Sequence, residues 1–274
     1  MGALASEPSG APGSGAPGSG ARLPGGCANR GLVVRVGDAV VRPTAPCREA
    51  THALLAHLSA VGFEGAPRVL AAGPVTETLT YVTGQAAILP LVTELRTDDA
   101  LISVADLLRR YHLAVSSFDP AAYRWPRSVP AQYCTGLVSH NDVHPANVIF
   151  QHGLAVALID FDLAGPGSAA WDFAAAARSF VPLQGDQDIT DERQGRVLAR
   201  FRIFLQASGL SRAGRREVAE ALVANHDWTY DIVTEAAAAG HRAFADHWRA
   251  IEGSATRARR WCEQHQRDLL AAAL

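Results

Sequence analysis

The stretch S-H-N-D-V-H-P-A-N-V-I-F, residues 139–150, is followed by a Gln151-His152-Gly153 turn and by L-A-V-A-L-I-D-F-D, residues 154–162, and the rest of the chain is organised around it. Gly136 to Val138 reads as strand leading into a polar loop that holds His140, Asp142, His144 and Asn147, after which Val148 to Phe150 resumes the apolar run. A second strand, Ala155 to Ile159, delivers Asp160 beside that loop. Two carboxylates and a carboxamide therefore converge. Taken alone, Asp142 in a polar loop reads equally well as a turn or helix cap. Only the ordered set of Asp142, Asn147 and Asp160 points to chemistry.

Asp followed five residues later by Asn, with a second Asp after the next hairpin, is the spacing of a phosphoryl-transfer site. In these residues the chain resembles the aminoglycoside phosphotransferase family, whose loop reads H-G-D-x-H-x-x-N before I-D-F or I-D-W. Here the loop is H-N-D-V-H-P-A-N, with Asn141 in place of the usual Gly, followed by I-D-F-D-L-A-G-P-G and then Trp171-Asp172-Phe173. The resemblance covers residues 23–180. It implies an α+β, protein-kinase-like two-lobe fold with a small β-rich N-lobe, a larger helical C-lobe and a ligand cleft between them. It also implies ATP or GTP as co-substrate with Mg²⁺, and a small-molecule hydroxyl acceptor, an aminoglycoside-type antibiotic or a metabolite. Asp142 would be the catalytic base and Asn147 and Asp160 the metal ligands. His140 would bond the backbone near Asp160, and Asp172 would brace the loop. Asp162 is either a second metal ligand or a turn cap. His144 either bonds within the loop or approaches the transferred phosphate. A zinc hydrolase is the weaker reading of H-x-D-x-H, since zinc wants further imidazoles or thiolates. An alternative that keeps the fold is a catalytically weak nucleotide-binding immunity or regulatory protein, suggested by the missing Gly-rich phosphate loop and by the absence of lysine. All 25 cationic side chains are arginines, so any phosphate contact usually made by Lys falls to Arg.

Composition narrows the remaining classes. The chain of 274 residues is 48% hydrophobic with a net charge of −2, which allows a sizeable core and gives no basic face for nucleic acid. Four scattered cysteines, Cys27, Cys47, Cys134 and Cys262, form no C-x-x-C pair and suit a reducing cytoplasm. No apolar run approaches the ~20 residues that span a bilayer, and no signal peptide is evident, so neither membrane nor nucleic acid is expected as a partner.

In chain order, residues 1–23 are Ala, Pro, Gly and Ser with almost nothing to bury, which reads as a disordered leader. The N-lobe is assigned to 24–84 and the C-lobe to 85–274. A hairpin joins Leu32–Val36 to Ala39–Arg42 through Gly37-Asp38, and its register places Val33, Arg35, Val40 and Arg42 on one face. That face offers apolar groups to an adenine and a guanidinium to its phosphates. The resemblance adds Arg42 at the phosphate-contacting position and puts the adenine edge against the backbone near Tyr81 and Val82. A helix is expected from Thr44, capped by Thr44, with Glu49 either pairing with Arg42 or favouring the helix dipole. In the helical C-terminal half, Asp227, Asp231 and Glu235 recur at i, i+4 and i+8. Such a stripe is either a site for a polycationic acceptor or a solvated face.

Overall fold

The computed structural model describes residues 20–23, 31–87 and 90–274. The leader expected over 1–23 lies outside these residues as far as position 19. Its end is corrected: Ala21–Arg22 (β1) pairs with Val34–Val36 (β2). G-G-x-x-N, residues 25–29, also lies outside them.

β2 and Ala39–Pro43 (β3) form the expected hairpin, with Val36 opposite Ala39 and Arg35 opposite Val40. The ladder stops at Val34/Val41, so Val33 lies just beyond the strand. Helix Arg48–Ala60 (α1) starts later than expected. Pro46 and the left-handed Cys47 hold the chain out of the helix, and the Thr44 hydroxyl donates to the Gly73 carbonyl instead of capping. Val69–Ala72 (β4) and Thr76–Thr80 (β5) complete a five-stranded antiparallel sheet in the order β1-β2-β3-β5-β4. Leu54, Leu55 and Leu58 are the buried apolar face of α1.

Gly84 marks the passage into the second lobe at φ +137°, and a Cβ there would meet Ile149 at 2.5 Å and the Phe150 carbonyl at 2.6 Å. No side chain fits. Gln85–Ala86 (β6) follows, then helix Asp98–Val115 (α2), capped by Thr97 accepting from the Ala100 amide. Leu137–Ser139 (β7), Val148–Gln151 (β8), Leu154–Leu158 (β9) and Gly165–Gly167 (β10) make two small sheets, β6-β8-β9 and β7-β10. They hold the polar loop between them.

Helix Ala169–Phe180 (α3) runs through the C-lobe core and is followed by Val197–Ala207 (α4), Arg212–Ala238 (α5), Arg242–Gln264 (α6) and Gln266–Ala272 (α7). Trp171, Phe173, Phe201 and Phe204 are fully buried where α3 and α4 pack among their neighbours. No helix among the described residues is long and apolar enough to cross a membrane.

Candidate active site

The loop between β7 and β8 is held in shape from beneath. Asp172, fully buried in the first turn of α3, accepts from the His140 amide at 2.9 Å, the Asn141 amide at 2.8 Å and His112 Nε2 of α2 at 2.9 Å. Asn141 has φ +66°, which suits the position where the H-G-D pattern has Gly, since Asn is among the few residues that visit this region readily. Its Nδ2 donates to the Leu163 carbonyl at 2.9 Å. His140 Nε2 donates to the Ile159 carbonyl at 3.0 Å while its Nδ1 accepts from the Asp142 amide, which assigns the proton to Nε2. The loop is thereby tied to the residue before Asp160.

Asp142 is set by two neighbours. Asn147 Nδ2 donates to its Oδ2 at 2.8 Å, and His144 Nε2 lies 3.5 Å from the same oxygen. Among the described residues Oδ1 has no partner, and the side chain keeps 26% exposure. Burial pushes the Asp142 carboxyl up, but the charge and hydrogen bond of His144, the nearby His140 and the Asn147 bond outweigh it and hold the group below its ordinary value. It is a carboxylate at neutral pH with one oxygen open. His144 moves the opposite way: burial opposes its protonation, while Asp142 and Asp160 together raise it above 6.5.

Asn147 and Asp160 are neighbours through the Ile159 amide, which donates to the Asn147 carbonyl at 2.9 Å. Because Asn147 Nδ2 is committed to Asp142, its Oδ1 is the atom left for a ligand. Asp160 sits in left-handed backbone, φ +64°, followed by the buried Phe161, which contacts His140 with ring centroids 4.6 Å apart. The donor set of Asn147 Oδ1, Asp160 and Asp162 is all oxygen, which fits Mg²⁺ bound through one or two carboxylates plus phosphates. Among the described residues no three His, Cys, Asp or Glu side chains cluster as a metal cage.

Arg42 closes the site from β3. Its Nε donates to Glu77 at 2.6 Å, Nη1 to Asp160 at 2.9 Å and Nη2 to Asp162 at 2.6 Å. Arg42 is only 7% exposed, so three carboxylates share one nearly buried guanidinium. Glu49, exposed on α1, is not the partner; Glu77 of β5 is, and α1 contributes His52, whose Nε2 lies 2.5 Å from the other Glu77 oxygen. Sequence reasoning missed Glu77, although the strand register, with Glu77 opposite Arg42, would have found it. Asp162 is raised to about 7 by its burial and the Asp160 charge, against the pull of Arg42.

Of the expected adenine-side residues, Val40 pairs with Leu79 on the same face as Arg42, and Arg35 lies 3.7 Å over the Tyr81 ring. The Tyr81 amide already donates to the Asp38 carbonyl at 2.8 Å, which leaves the Val82 amide without a bond among the described residues. A cavity of about 310 Å³ touches Val82, Gln151 and Ala155 but none of Arg42, Asp142 or Asp160.

The acidic stripe on α5 is largely neutralised within the fold. Arg259 takes Asp227 at 2.6 and 3.0 Å, and Arg127 takes Glu235 at 2.6 Å and also lies near Asp231.

A sheet lobe, a helical lobe and a braced loop presenting Asp142 beside Asn147 and Asp160 define a kinase-like fold. The chain belongs to the phosphotransferase enzyme family, whose family model matches residues 115–220. The trifolitoxin immunity protein of Rhizobium leguminosarum bv. trifolii is 31% identical over 254 residues, covering 89% of this chain and 95% of that protein. Among solved structures, a choline/ethanolamine kinase family protein from Mesorhizobium loti shares the fold with TM-score 0.62 at 16% identity, covering 95% of this chain and 94% of that one. The GDP complex of aminoglycoside 2'-phosphotransferase-IIIa does so with TM-score 0.59 at 14% identity, covering 93% and 94%. At such identities the likeness is one of fold.

Proposed function

We propose that this protein transfers the γ-phosphoryl group of ATP or GTP to a hydroxyl of a small molecule, an antibiotic or a metabolite. The observation that carries this reading is Asp142: a carboxylate ionised at neutral pH, with Oδ2 fixed by Asn147 and Oδ1 open. Asp142 orients the acceptor hydroxyl and takes its proton at Oδ1. Asn147 and Asp160, with Asp162 beside them, hold Mg²⁺, which neutralises charge on the phosphates when bound. Arg42 turns its guanidinium from the aspartates to the phosphates, Val33 and Val40 flank the base, and the backbone at Tyr81 and Val82 meets its edge. His140 and Asp172 keep the loop in place. Little covalent chemistry is asked of the protein, so the rate would come from positioning and charge neutralisation.

The test separates base from metal ligands. Asp142→Asn keeps the shape but cannot accept a proton, so nucleotide affinity should survive while transfer falls by roughly 10² to 10⁴-fold. Asn147→Ala and Asp160→Ala should weaken Mg²⁺-dependent nucleotide binding itself. A screen of hydroxylated metabolites and antibiotics for nucleotide consumption supplies the acceptor, and parental transfer by Asp142→Asn would refute the assignment. The 31% identical immunity protein supports a second reading, in which the chain binds a nucleotide and protects its host without turnover. Nucleotide binding with no consumption across the screen, unchanged by Asp142→Asn, favours that one.

A further inference from the structure

Arg178, on α3 six residues after Asp172, differs in its partners from three arginines that brace the C-lobe. Arg127, Arg200 and Arg259 each hold a carboxylate, those of Glu235, Asp98 and Asp227. Arg178 forms no ion pair among the described residues. Its Nη1 is instead fastened to neutral oxygens on α5, Asn225 Oδ1 at 2.9 Å, Thr229 Oγ1 at 2.9 Å and the Asn225 carbonyl at 3.3 Å. The Tyr230 ring lies 5.2 Å from its guanidinium carbon. The fork is thus held rigid along one edge while Nε and Nη2 take no carboxylate.

Its place relative to the loop is equally telling. Arg178 lies within electrostatic reach of the loop: the charge of Asp142 acts on it and its own charge acts on His144. Burial and Arg178 together push the neighbouring His226 down to about 4, which leaves that imidazole neutral and adds no second cation. Asp227 and Glu235 are already neutralised by Arg259 and Arg127, while Asp142 acts on Arg178, Asp160 acts on the neighbouring His144 and Asp231 stays exposed. A half-buried guanidinium bonded only to neutral oxygens has lost part of its hydration without gaining a counter-charge, which favours an incoming anion.

We infer that Arg178 binds an anionic group of the acceptor, a carboxylate or phosphate carried near the hydroxyl that Asp142 addresses. The inference rests on the phosphotransferase reading and narrows it from any small hydroxyl compound to an acidic one. The bidentate geometry of a guanidinium suits either anion. In the step itself the hydroxyl oxygen bonds the γ-phosphorus, the bond from that phosphorus to the β-bridging oxygen breaks, the hydroxyl proton passes to Asp142 and the nucleoside diphosphate leaves. Arg178 takes no part in that exchange. It fixes where the hydroxyl stands.

The experiment uses paired probes with the full chain, Mg²⁺ and nucleotide: hydroxy acids beside their amides, sugar phosphates beside the free sugars, and polyamino glycosides. The readout is the ratio of kcat/KM for the anionic member to that for its neutral partner, which does not depend on how much of a variant is folded. The parent should prefer the anionic member; Arg178→Gln should cut the ratio by roughly 10- to 100-fold, mostly through KM, and Arg178→Lys should restore part of it. A parent that prefers neutral or polycationic probes overturns the inference while leaving the phosphotransferase reading intact. So does an Arg178→Gln ratio equal to the parent's with both members slowed alike, which would place the guanidinium on the transferred phosphoryl group. A parent that consumes no nucleotide with any probe or with water refutes the underlying reading and this inference with it.

Discussion

Replacing Arg42 by alanine should destabilise the protein before it affects any chemistry. The guanidinium serves Glu77, Asp160 and Asp162 at 2.6, 2.9 and 2.6 Å, and its side chain is 8% exposed. The three acids do not suffer equally. Asp160 and Asp162 keep 34% and 24% side-chain exposure, so water can rehydrate them, and Asp162, already raised to about 7, can take a proton. Glu77 has 2% exposure and would keep only His52. Breaking a buried pair by removing one partner costs about 3 to 5 kcal/mol, and Glu77 alone sets the low end of that range. At about 2 to 4 °C per kcal/mol for a domain of this size, the melting temperature should fall by roughly 6 to 12 °C. Arg42→Ala, Glu77→Gln and the double variant form a cycle in which the double should lose less than the sum of the singles, because the neutral amide no longer needs the cation. Adding Mg²⁺ should recover part of the Arg42→Ala loss by supplying charge to Asp160 and Asp162. An Arg42→Ala protein that melts within about 1 °C of the parent, or a strictly additive cycle, would refute the argument that one buried cation holds these acids together.

The His144–Asp142 pair gives a pH signature. A raised imidazole contributes stability that is full below the unfolded value of 6.5 and is lost as pH rises through the folded value; the lowered Asp142 contributes above its unfolded 3.8 and loses that as pH falls. Melting temperature should therefore drop between about pH 6 and pH 8 in the parent and stay flatter in His144→Gln, and parallel curves would contradict the pairing. At Asn141 both Asn141→Gly and Asn141→Ala lose the bond to the Leu163 carbonyl, and φ +66° predicts that Asn141→Ala costs about 1 to 2 kcal/mol more than Asn141→Gly; equal urea midpoints for the two would show that the backbone does not depend on this residue.

What could be read from the sequence was what the chain fixes locally. The interval between Asp142 and Asn147 spans one loop, and β8 and β9 fix where Asp160 emerges, so the convergence was legible without knowing the fold. The contacts of Arg42 were legible only in part, because Glu77 reaches it through strand pairing across 35 positions and Glu49 was merely nearer in sequence. The α5 acids misled for a related reason. Their spacing sets a common face, but Arg127 and Arg259, which neutralise them, come from a loop and from α6. Arg178 gave no signal at all, since one arginine after four alanines differs from a solvated helical residue only when Asn225 and Thr229 are in place.

Asp172 carries an implication for how this protein opens. Its carboxylate ties α2, the β7–β8 loop and α3 together at a point with no solvent access, so the amides of His140 and Asn141 cannot lose their acceptor unless the helical core itself comes apart. Their hydrogen exchange should be limited by global unfolding, whereas the contacts of Arg42 with Asp160 and Asp162 span the two lobes and sit at the edge of solvent. Breathing is thereby confined to the sheet-lobe side, and proteases or chaperones that sample partly opened forms would meet a loosened sheet lobe with the Asp142 loop still in its folded shape.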